Sequence, residues 1–185
     1  MAHYTELRSY SKPKTDVPGN QKMKIGIISD THDHHVNVLK AVEIFKKENV
    51  QYILHAGDIV SQYTVKAFGE VKNAKFIAVF GNNDGEKHLL KDIIEGFGGE
   101  IHHDPYHGKI ADKRIFLTHK PGLIDEAAAS GKYDVIIYGH THFRDIRTVN
   151  KTLIINPGEA TDWVCGKGNL IILETDSLEL KEIEL

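Results

Sequence analysis

Cysteine is nearly absent from the sequence, since only Cys165 among the 185 residues carries a thiol. One cysteine cannot form an intramolecular disulfide, which is typical of a reducing compartment, so we expect a cytoplasmic protein. Cys165 could act as a nucleophile, but no histidine is paired with it in the sequence. We therefore interpret Cys165 as a small buried residue.

Long apolar runs and an excess of positive charge are absent as well. No stretch approaches the ~20 apolar residues that span a bilayer, and the N-terminus has no apolar signal core, so we expect no membrane partner. The formal net charge is −3, whereas stable nucleic-acid binding needs a basic patch. A nucleotide substrate held by metal ions stays compatible with this charge, because the cations supply the positive charge.

The length of the chain favours one domain, which we assign to residues 23–185. Residues 1–22 are polar and irregular, and we interpret them as an N-terminal extension or tag-like arm. The sequence carries no signal for the oligomeric state, so a homo-oligomer is expected only as a base rate.

The first half of the domain alternates short apolar runs with helical patterns. Residues 24–29, 52–54 and 76–80 are typical of buried strands, and each run ends in a polar tip. This alternation predicts a parallel sheet with crossover helices. The helices are predicted at 36–45, with Asp33 as the cap, at 60–68 and at 89–94.

The second half has a different pattern, because its predicted strands are joined by short turns. A single helix is predicted there at 124–130, and His102, His103 and His107 are assigned to a solvated loop with Asp104 and Pro105 rather than to a surface metal site. We predict an α/β fold, a four-layer αββα sandwich with two mixed β-sheets flanked by helices. The strands of this half are predicted at 115–118, 135–138, 146–149, 153–155 and 170–173.

Side chains that bind metals follow one predicted strand after another. Ligands of open α/β sheets bind beyond the carboxyl ends of the strands, so we expect these side chains to form one site. Residues two apart on an extended backbone point the same way, which would pair Asp30 with His32 and His140 with His142. The candidate metal ligands are Asp30, His32, Asp58, Asn82, His119, His140 and His142.

Seven ligands are too many for one ion of four to six coordination, so they favour two ions that share a bridging carboxylate. Mixed imidazole and carboxylate ligands suit Mn²⁺, Fe²⁺, Co²⁺, Ni²⁺ or Zn²⁺. The lack of cysteine among them argues against a closed structural zinc site. We predict two divalent metal ions as cofactors.

These motifs resemble those of the calcineurin-like metallophosphoesterase superfamily. The family pattern D-x-H, G-D, G-N-H-D/E, a lone histidine and G-H-T-H stands here as Asp30-Thr31-His32, Gly57-Asp58, Gly81-Asn82-Asn83-Asp84, His119 and Gly139-His140-Thr141-His142. In its short length and in Asn156-Pro157-Gly158 after the last motif, the chain resembles the small phosphodiesterase branch of the family. This branch includes compact bacterial and archaeal enzymes and the small retromer subunit.

The resemblance implies a role for each ligand. Asp30, His32 and His142 would hold the first metal, and Asn82, His119 and His140 the second, with Asp58 bridging both. It also implies Mn²⁺ or a similar divalent ion and hydrolysis of phosphoesters, above all phosphodiesters, by a metal-bridging hydroxide. The alternative is a weakly active or inactive metal-binding scaffold for protein interactions.

The sequence departs from the family at Asn83, where many members have a histidine that acts as general acid or phosphate ligand. An amide cannot supply a proton near neutral pH, but it can donate a hydrogen bond to a phosphate oxygen. We predict that Asn83, with Asp58, acts in catalysis and that Asn83 and His34 bind a small phosphoester substrate.

Two further residues near the predicted strand ends have competing interpretations. His55 could orient a metal ligand or could be a buried hydrogen-bonded histidine, and both alternatives stay open. Trp163 could wall the substrate cleft, but we expect it to be buried against the core.

Overall fold

The computed structural model describes residues 23–185, so the predicted N-terminal arm lies outside the described residues. In this part of the chain, no helix combines the length and the apolar character needed to cross a membrane. The elements are β1 (Lys24–Ile28), α1 (His35–Glu48), β2 (Tyr52–His55), α2 (Gln62–Val65), β3 (Lys75–Val79), α3 (Lys87–Gly96), β4 (Glu100–His102), β5 (Tyr106–Ile110), β6 (Lys113–Leu117), α4 (Ile124–Ala129), β7 (Val135–Ile137), β8 (Asp145–Val149), β9 (Thr152–Asn156), β10 (Asn169–Glu174) and β11 (Leu180–Glu184), with 3-10 turns at Lys66–Glu70 and Pro121–Leu123.

The strands form two mixed sheets. The first has the order β11-β10-β1-β2-β3-β4 and the second β5-β6-β7-β9-β8. In the first sheet β1 to β4 are parallel, β10 runs antiparallel to β1, and the edge strand β11 runs antiparallel to β10. In the second, β6, β7 and β9 are parallel and the two edge strands antiparallel. The predicted mixed sheets are therefore confirmed.

Alternating strand residues separate the core into layers. Ile25, Ile27 and Leu54 belong to the cluster between the sheets, where they meet Leu117 and Ile137 of the second sheet. The opposite face of the first sheet packs against α1 and α3, and the outer face of the second sheet packs against α4. The period of two in the strands thus produces the predicted order of helix, sheet, sheet and helix.

Three short strands were not predicted. The interpretation of His102 and His107 as loop residues is wrong, because they lie in β4 and β5. Their burial is only partial, since both strands lie at sheet edges, and sequences such as Glu-Ile-His carry too little apolar periodicity to be recognised. The third is β11, also at an edge.

Two of the predicted helices differ from those in the structure, one in its N-terminal cap and the other in its helix type. The cap of α1 is His34, whose Nδ1 accepts a hydrogen bond from the Asn37 amide at 3.3 Å, rather than Asp33. The helix predicted at 60–68 consists of the four-residue α2 followed by a 3-10 turn. Histidine is not among the preferred capping residues, which explains the one-residue error at α1.

Candidate metal centre

Loops at the carboxyl ends of five strands carry the seven predicted ligands. Residues 30 and 32 follow β1, residue 58 follows β2, residue 82 follows β3, residue 119 follows β6, and residues 140 and 142 follow β7. The structure brings all seven together, as the distances below show. The strands of both sheets thus contribute to one site.

The ligand loops are not extended, contrary to the reasoning that paired residues two apart. Asp30, His32, Asp58, His140 and His142 have positive φ angles between 39° and 70°. Left-handed backbone is uncommon for residues with a side chain, and such strain concentrates at functional sites. The pairing of these side chains therefore comes from tight left-handed turns rather than from strand geometry.

The first group consists of Asp30, His32 and His142, whose ligand atoms all lie within 4.8 Å of one another. His32 Nε2 lies 3.3 Å from His142 Nε2, and Asp30 Oδ1 lies 3.5 Å from His142 Nε2 and 3.8 Å from His32 Nε2. The other oxygen of Asp30 accepts hydrogen bonds from Ser29 Oγ at 2.6 Å and the His140 amide at 3.0 Å. These bonds orient Oδ1 towards the two imidazoles.

The second group is centred on His119. Its Nε2 lies 2.9 Å from Asn82 Oδ1, 3.2 Å from His140 Nδ1 and 3.5 Å from Asp58 Oδ2. Asp30, Asp58 and His119 also place ligand atoms within 4.8 Å of one another. Asp58 Oδ2 lies 3.5 Å from His32 Nε2 as well, so it is equally close to an imidazole of each group.

The chemistry of this donor set fits divalent cations. Asp30 and Asp58 are buried, and burial raises the pKa of Asp30, partly offset by the hydrogen bond from Ser29 and by the nearby imidazoles. Burial, His119 and Lys120 lower the pKa of His140, which keeps the imidazole in the neutral form that binds metals. Carboxylate oxygens and neutral imidazoles together are donors that divalent transition metals accept.

Hydrogen bonds set the tautomers of two ligands. His119 Nδ1 donates to the Ala56 carbonyl at 2.8 Å, which leaves Nε2 free to bind a metal. His142 Nδ1 donates to Glu159 Oε2 at 2.9 Å, which does the same for its Nε2. Such outer partners orient ligands and raise their basicity.

Glu159 is a site residue that sequence reasoning missed. It is fully buried and also accepts hydrogen bonds from Thr161 Oγ1 and the amides of Val164 and Cys165 at 2.5–2.8 Å. Burial opposes its charge, but these hydrogen bonds hold the pKa of Glu159 below its ordinary value. Its position directly after Asn156-Pro157-Gly158 was the only available signal.

Asp84 belongs to one of the sequence motifs, but no role was predicted for it. Its carboxylate accepts hydrogen bonds from four backbone amides, those of Asp58, Ile59, Val60 and Gly81, at 2.7–3.2 Å. It thereby joins the loop after β2 to the loop after β3. Gly81 is required here, because a Cβ would lie 2.1 Å from Asp58 Oδ1.

His55 is buried, and its two ring nitrogens bond to Thr31 and Gly57, which are not among the predicted ligands. Its Nδ1 accepts from the Gly57 amide at 3.2 Å, so its Nε2 donates to Thr31 Oγ1 at 3.1 Å. Burial lowers the pKa of His55 to about 3, which keeps the ring neutral. It is thus a hydrogen-bonded core histidine that supports the loops carrying Asp30 and Asp58.

Asn83 contacts one of the predicted ligands, whereas His34 lies near Asp162 in the loop after Thr161. Asn83 donates from its backbone amide to Asp58 Oδ1 at 2.8 Å and from Nδ2 to Asp58 Oδ2 at 2.7 Å. His34 Nε2 lies 3.6 Å from Asp162 Oδ1. Asn83 therefore contacts the predicted bridging carboxylate itself, at the exposed side of the site.

Two burial predictions are wrong. Trp163 is 62% exposed, and its ring centroid lies 5.8 Å from that of His32 and 6.2 Å from that of His34. Cys165 is exposed, and its Sγ lies 3.3 Å from the His142 carbonyl. Both belong to the loop after Thr161 that the Glu159 carboxylate holds outside the apolar layers, so apolar character did not predict burial.

Comparison with known proteins identifies the family of this chain. The model of the calcineurin-like phosphoesterase superfamily domain matches residues 23–178. Phosphodiesterase MJ0936 from Methanocaldococcus jannaschii is 46% identical over 166 residues, which are 88% of this chain and 99% of that protein. A solved archaeal phosphodiesterase aligns with a TM-score of 0.83 at 44% identity, over 88% of this chain and 100% of that one.

Vacuolar protein sorting 29 from Cryptosporidium parvum shares the fold, with a TM-score of 0.61 at 17% identity over 90% of this chain and 99% of that one. The family match includes every predicted ligand, from Asp30 to His142. The resemblance inferred from the motifs is therefore confirmed. This chain belongs to the calcineurin-like phosphoesterase superfamily and is an enzyme of that metallophosphoesterase family.

Proposed function

We propose that this enzyme hydrolyses phosphodiesters with two divalent cations held by the seven ligands described above. The observation that carries the proposal is the convergence of two buried carboxylates, four imidazoles and one amide at the ends of five strands. The names of the archaeal relatives support the choice of diesters. The substrate is a small phosphoester in this proposal.

Asp30, His32 and His142 would hold one cation, and Asn82, His119 and His140 the other, with Asp58 between them. The distances of 3.5 Å from Asp58 Oδ2 to His32 and to His119 support the bridging role. When bound, the pair of cations lowers the pKa of water towards neutrality and neutralises charge on the phosphoryl oxygens. We expect Mn²⁺, with Ni²⁺, Fe²⁺, Co²⁺ and Zn²⁺ as ions that the same donors accept.

The protein's own residues orient the reaction. Glu159 fixes the ring of His142, and the Ala56 carbonyl fixes that of His119. Asn83 holds Asp58 through two hydrogen bonds, and its side chain, at the exposed side of the site, would orient a phosphoryl oxygen. His34 would contact the substrate at the edge formed with Asp162.

The alternative function, a weakly active or inactive scaffold for protein interactions, differs from the enzyme in its catalytic turnover. Asn83 in place of histidine favours it, because the site then has no imidazole at that position for protonating a leaving group. The complete ligand set favours the enzyme. A cytoplasmic location fits either function, and a homo-oligomer stays a base-rate expectation.

The test is turnover of bis-p-nitrophenyl phosphate by protein stripped of metal and reconstituted with each divalent ion. We expect Mn²⁺ to restore hydrolysis and a His140→Ala variant with full metal analysis to lose it. The matched control is His88→Ala, an exposed histidine in α3 outside the ligand loops. Absence of turnover with every metal would contradict the proposal and favour the scaffold.

A further inference from the structure

The only tryptophan of the chain stands at the rim of the metal centre with most of its surface in solvent. The Trp163 ring packs at a tilt near His32 and His34, with centroid distances of 5.8 and 6.2 Å. His32 is one of the proposed ligands, so the indole lies at the edge of the proposed metal centre. A large aromatic side chain usually gains stability by burial, whereas this indole is held in solvent beside the proposed ligands.

The loop that carries Trp163 is held firmly in this position. The Glu159 carboxylate accepts the amides of Val164 and Cys165 at 2.8 and 2.7 Å, directly after the tryptophan. The same carboxylate accepts the Nδ1 proton of His142. One buried acid therefore bonds both to a proposed metal ligand and to the backbone directly after the tryptophan, which holds this loop next to the proposed site.

The surroundings of the indole indicate what it can bind. The indole ring is largely exposed to solvent, and two polar side chains lie near it. These are Asp162 and His34, whose Oδ1 and Nε2 atoms lie 3.6 Å apart. A hydrocarbon chain would need an enclosed apolar groove, which a single ring does not provide. A flat heteroaromatic group with polar edges can stack on the indole while its edge faces such polar groups.

We infer that Trp163 forms a stacking subsite for the nucleobase of a nucleotide phosphoester whose phosphoryl group lies at the metal centre. The inference rests on the proposed function, which it narrows to a substrate class. In this arrangement the metals bind the phosphoryl group of the nucleotide, and the indole stacks on its nucleobase. Because every nucleobase has a π face, this subsite favours nucleotides over sugar phosphates but discriminates weakly among bases.

Fluorescence of the single tryptophan gives a direct test that does not depend on turnover. The Mn²⁺-loaded protein is titrated with adenosine 5′-monophosphate and, in parallel, with ribose 5-phosphate, with excitation at the red edge of indole absorption. We expect saturable quenching by the nucleotide and none beyond the Mn²⁺ baseline by the sugar phosphate. Equal effects of the two ligands, or none from either, would overturn the inference.

Variants supply a second readout through substrate preference. In Trp163→Ala, we expect kcat/KM for a nucleotide diester to fall about tenfold more than for a diester with only aliphatic groups, and Trp163→Phe should recover most of this difference. Val164→Ala is the matched control, because it removes exposed apolar surface from the same loop and keeps the backbone bond to Glu159. An unchanged preference in Trp163→Ala would contradict the inference.

The two proposals fail in different ways. Hydrolysis of diesters with no nucleotide quenching would refute the stacking subsite and leave the phosphodiesterase intact. Nucleotide quenching without hydrolysis by any metal form would refute the phosphodiesterase and support the subsite as a binding site for nucleotides.

Discussion

The acids of the metal centre and the acid at the start of β7 are held in opposite ways. Asp134 is paired with Arg114 through bonds of 2.8 and 3.0 Å, and that guanidinium lowers the pKa of Asp134 to about 2. Asp30 is fully buried, and burial raises its pKa. Within residues 23–185, the ion pairs of Asp30 and Asp58 involve only imidazoles.

The difference indicates that the acids of the metal centre are arranged for function at a cost in folding stability. Asp134 is paired with the guanidinium of Arg114 at the surface, and this ion pair contributes modestly to the free energy of unfolding. Burial is the main cause that raises the pKa of Asp30, and the negative charge of nearby Asp58 adds to it. We therefore expect bound cations to relieve the electrostatic cost of this buried cluster.

The largest expected effect comes from Asp58→Asn. Loss of one carboxylate charge between the two groups should remove several kcal/mol of transition-state stabilisation, which is about a thousandfold in kcat/KM. The melting temperature of the metal-stripped variant should not fall, because repulsion with Asp30 is relieved. Steady-state kinetics, metal analysis and calorimetry of both proteins measure this, and unchanged kcat/KM at full metal loading would refute the role of Asp58.

Next in size is Glu159→Gln. The amide still accepts from the loop amides but no longer provides a negative charge for His142 Nδ1, so we expect about 10–100-fold weaker metal binding. Calorimetric titration with Mn²⁺ gives the affinity. The control is Glu182→Gln, which changes an exposed acid paired with Arg144 and should bind Mn²⁺ as the parent does. Equal affinities in all three proteins would contradict the orienting role.

The pH dependence of folding tests the neutral state of His55. Its pKa is about 3 in the folded protein against an ordinary 6.5, so the unfolded chain binds the additional proton. Stability should therefore fall as pH falls from 6.5 towards 3, by at most about 1.4 kcal/mol per pH unit from this residue.

Denaturant unfolding at several pH values between 6.5 and 4 measures the slope. His55→Gln keeps an acceptor and a donor but cannot titrate, so its slope should be shallower. Equal slopes, or an imidazole of His55 that titrates in NMR spectra near pH 6.5, would show that His55 is not held neutral.

The smallest expected effect belongs to Asp134→Asn. Both partners are partly exposed, and screening by solvent limits the pair to less than about 1 kcal/mol of folding free energy. Because the folded pKa is lowered to about 2, the contribution is present above about pH 4 and lost as pH falls towards 2. Unfolding at pH 7 and at low pH checks this, and a loss of several kcal/mol would remove the contrast with the metal centre.

Much of this site could be predicted from the sequence, because the ligand types follow successive strands whose ends must meet. The backbone of the ligand loops could not, since positive φ at Asp30 or His140 leaves no signature in residues of these types. Glu159 and Asp84 were missed because they act on atoms far away in sequence.

The errors at the periphery have a different origin. Edge strands β4 and β5 bury too few side chains to show a clear apolar pattern. Trp163 and Cys165 were expected inside because of their residue types, whereas a loop bonded to a buried carboxylate holds them in solvent. Local apolar content predicts burial in the layers of this fold and fails in its loops.

Anomalous diffraction from a crystal grown with Mn²⁺ tests most directly whether the site assembles around two cations. We expect two peaks, one beside Asp30, His32 and His142 and the other beside Asn82, His119 and His140, with Asp58 contacting both. A single peak, or none among these side chains, would contradict this expectation.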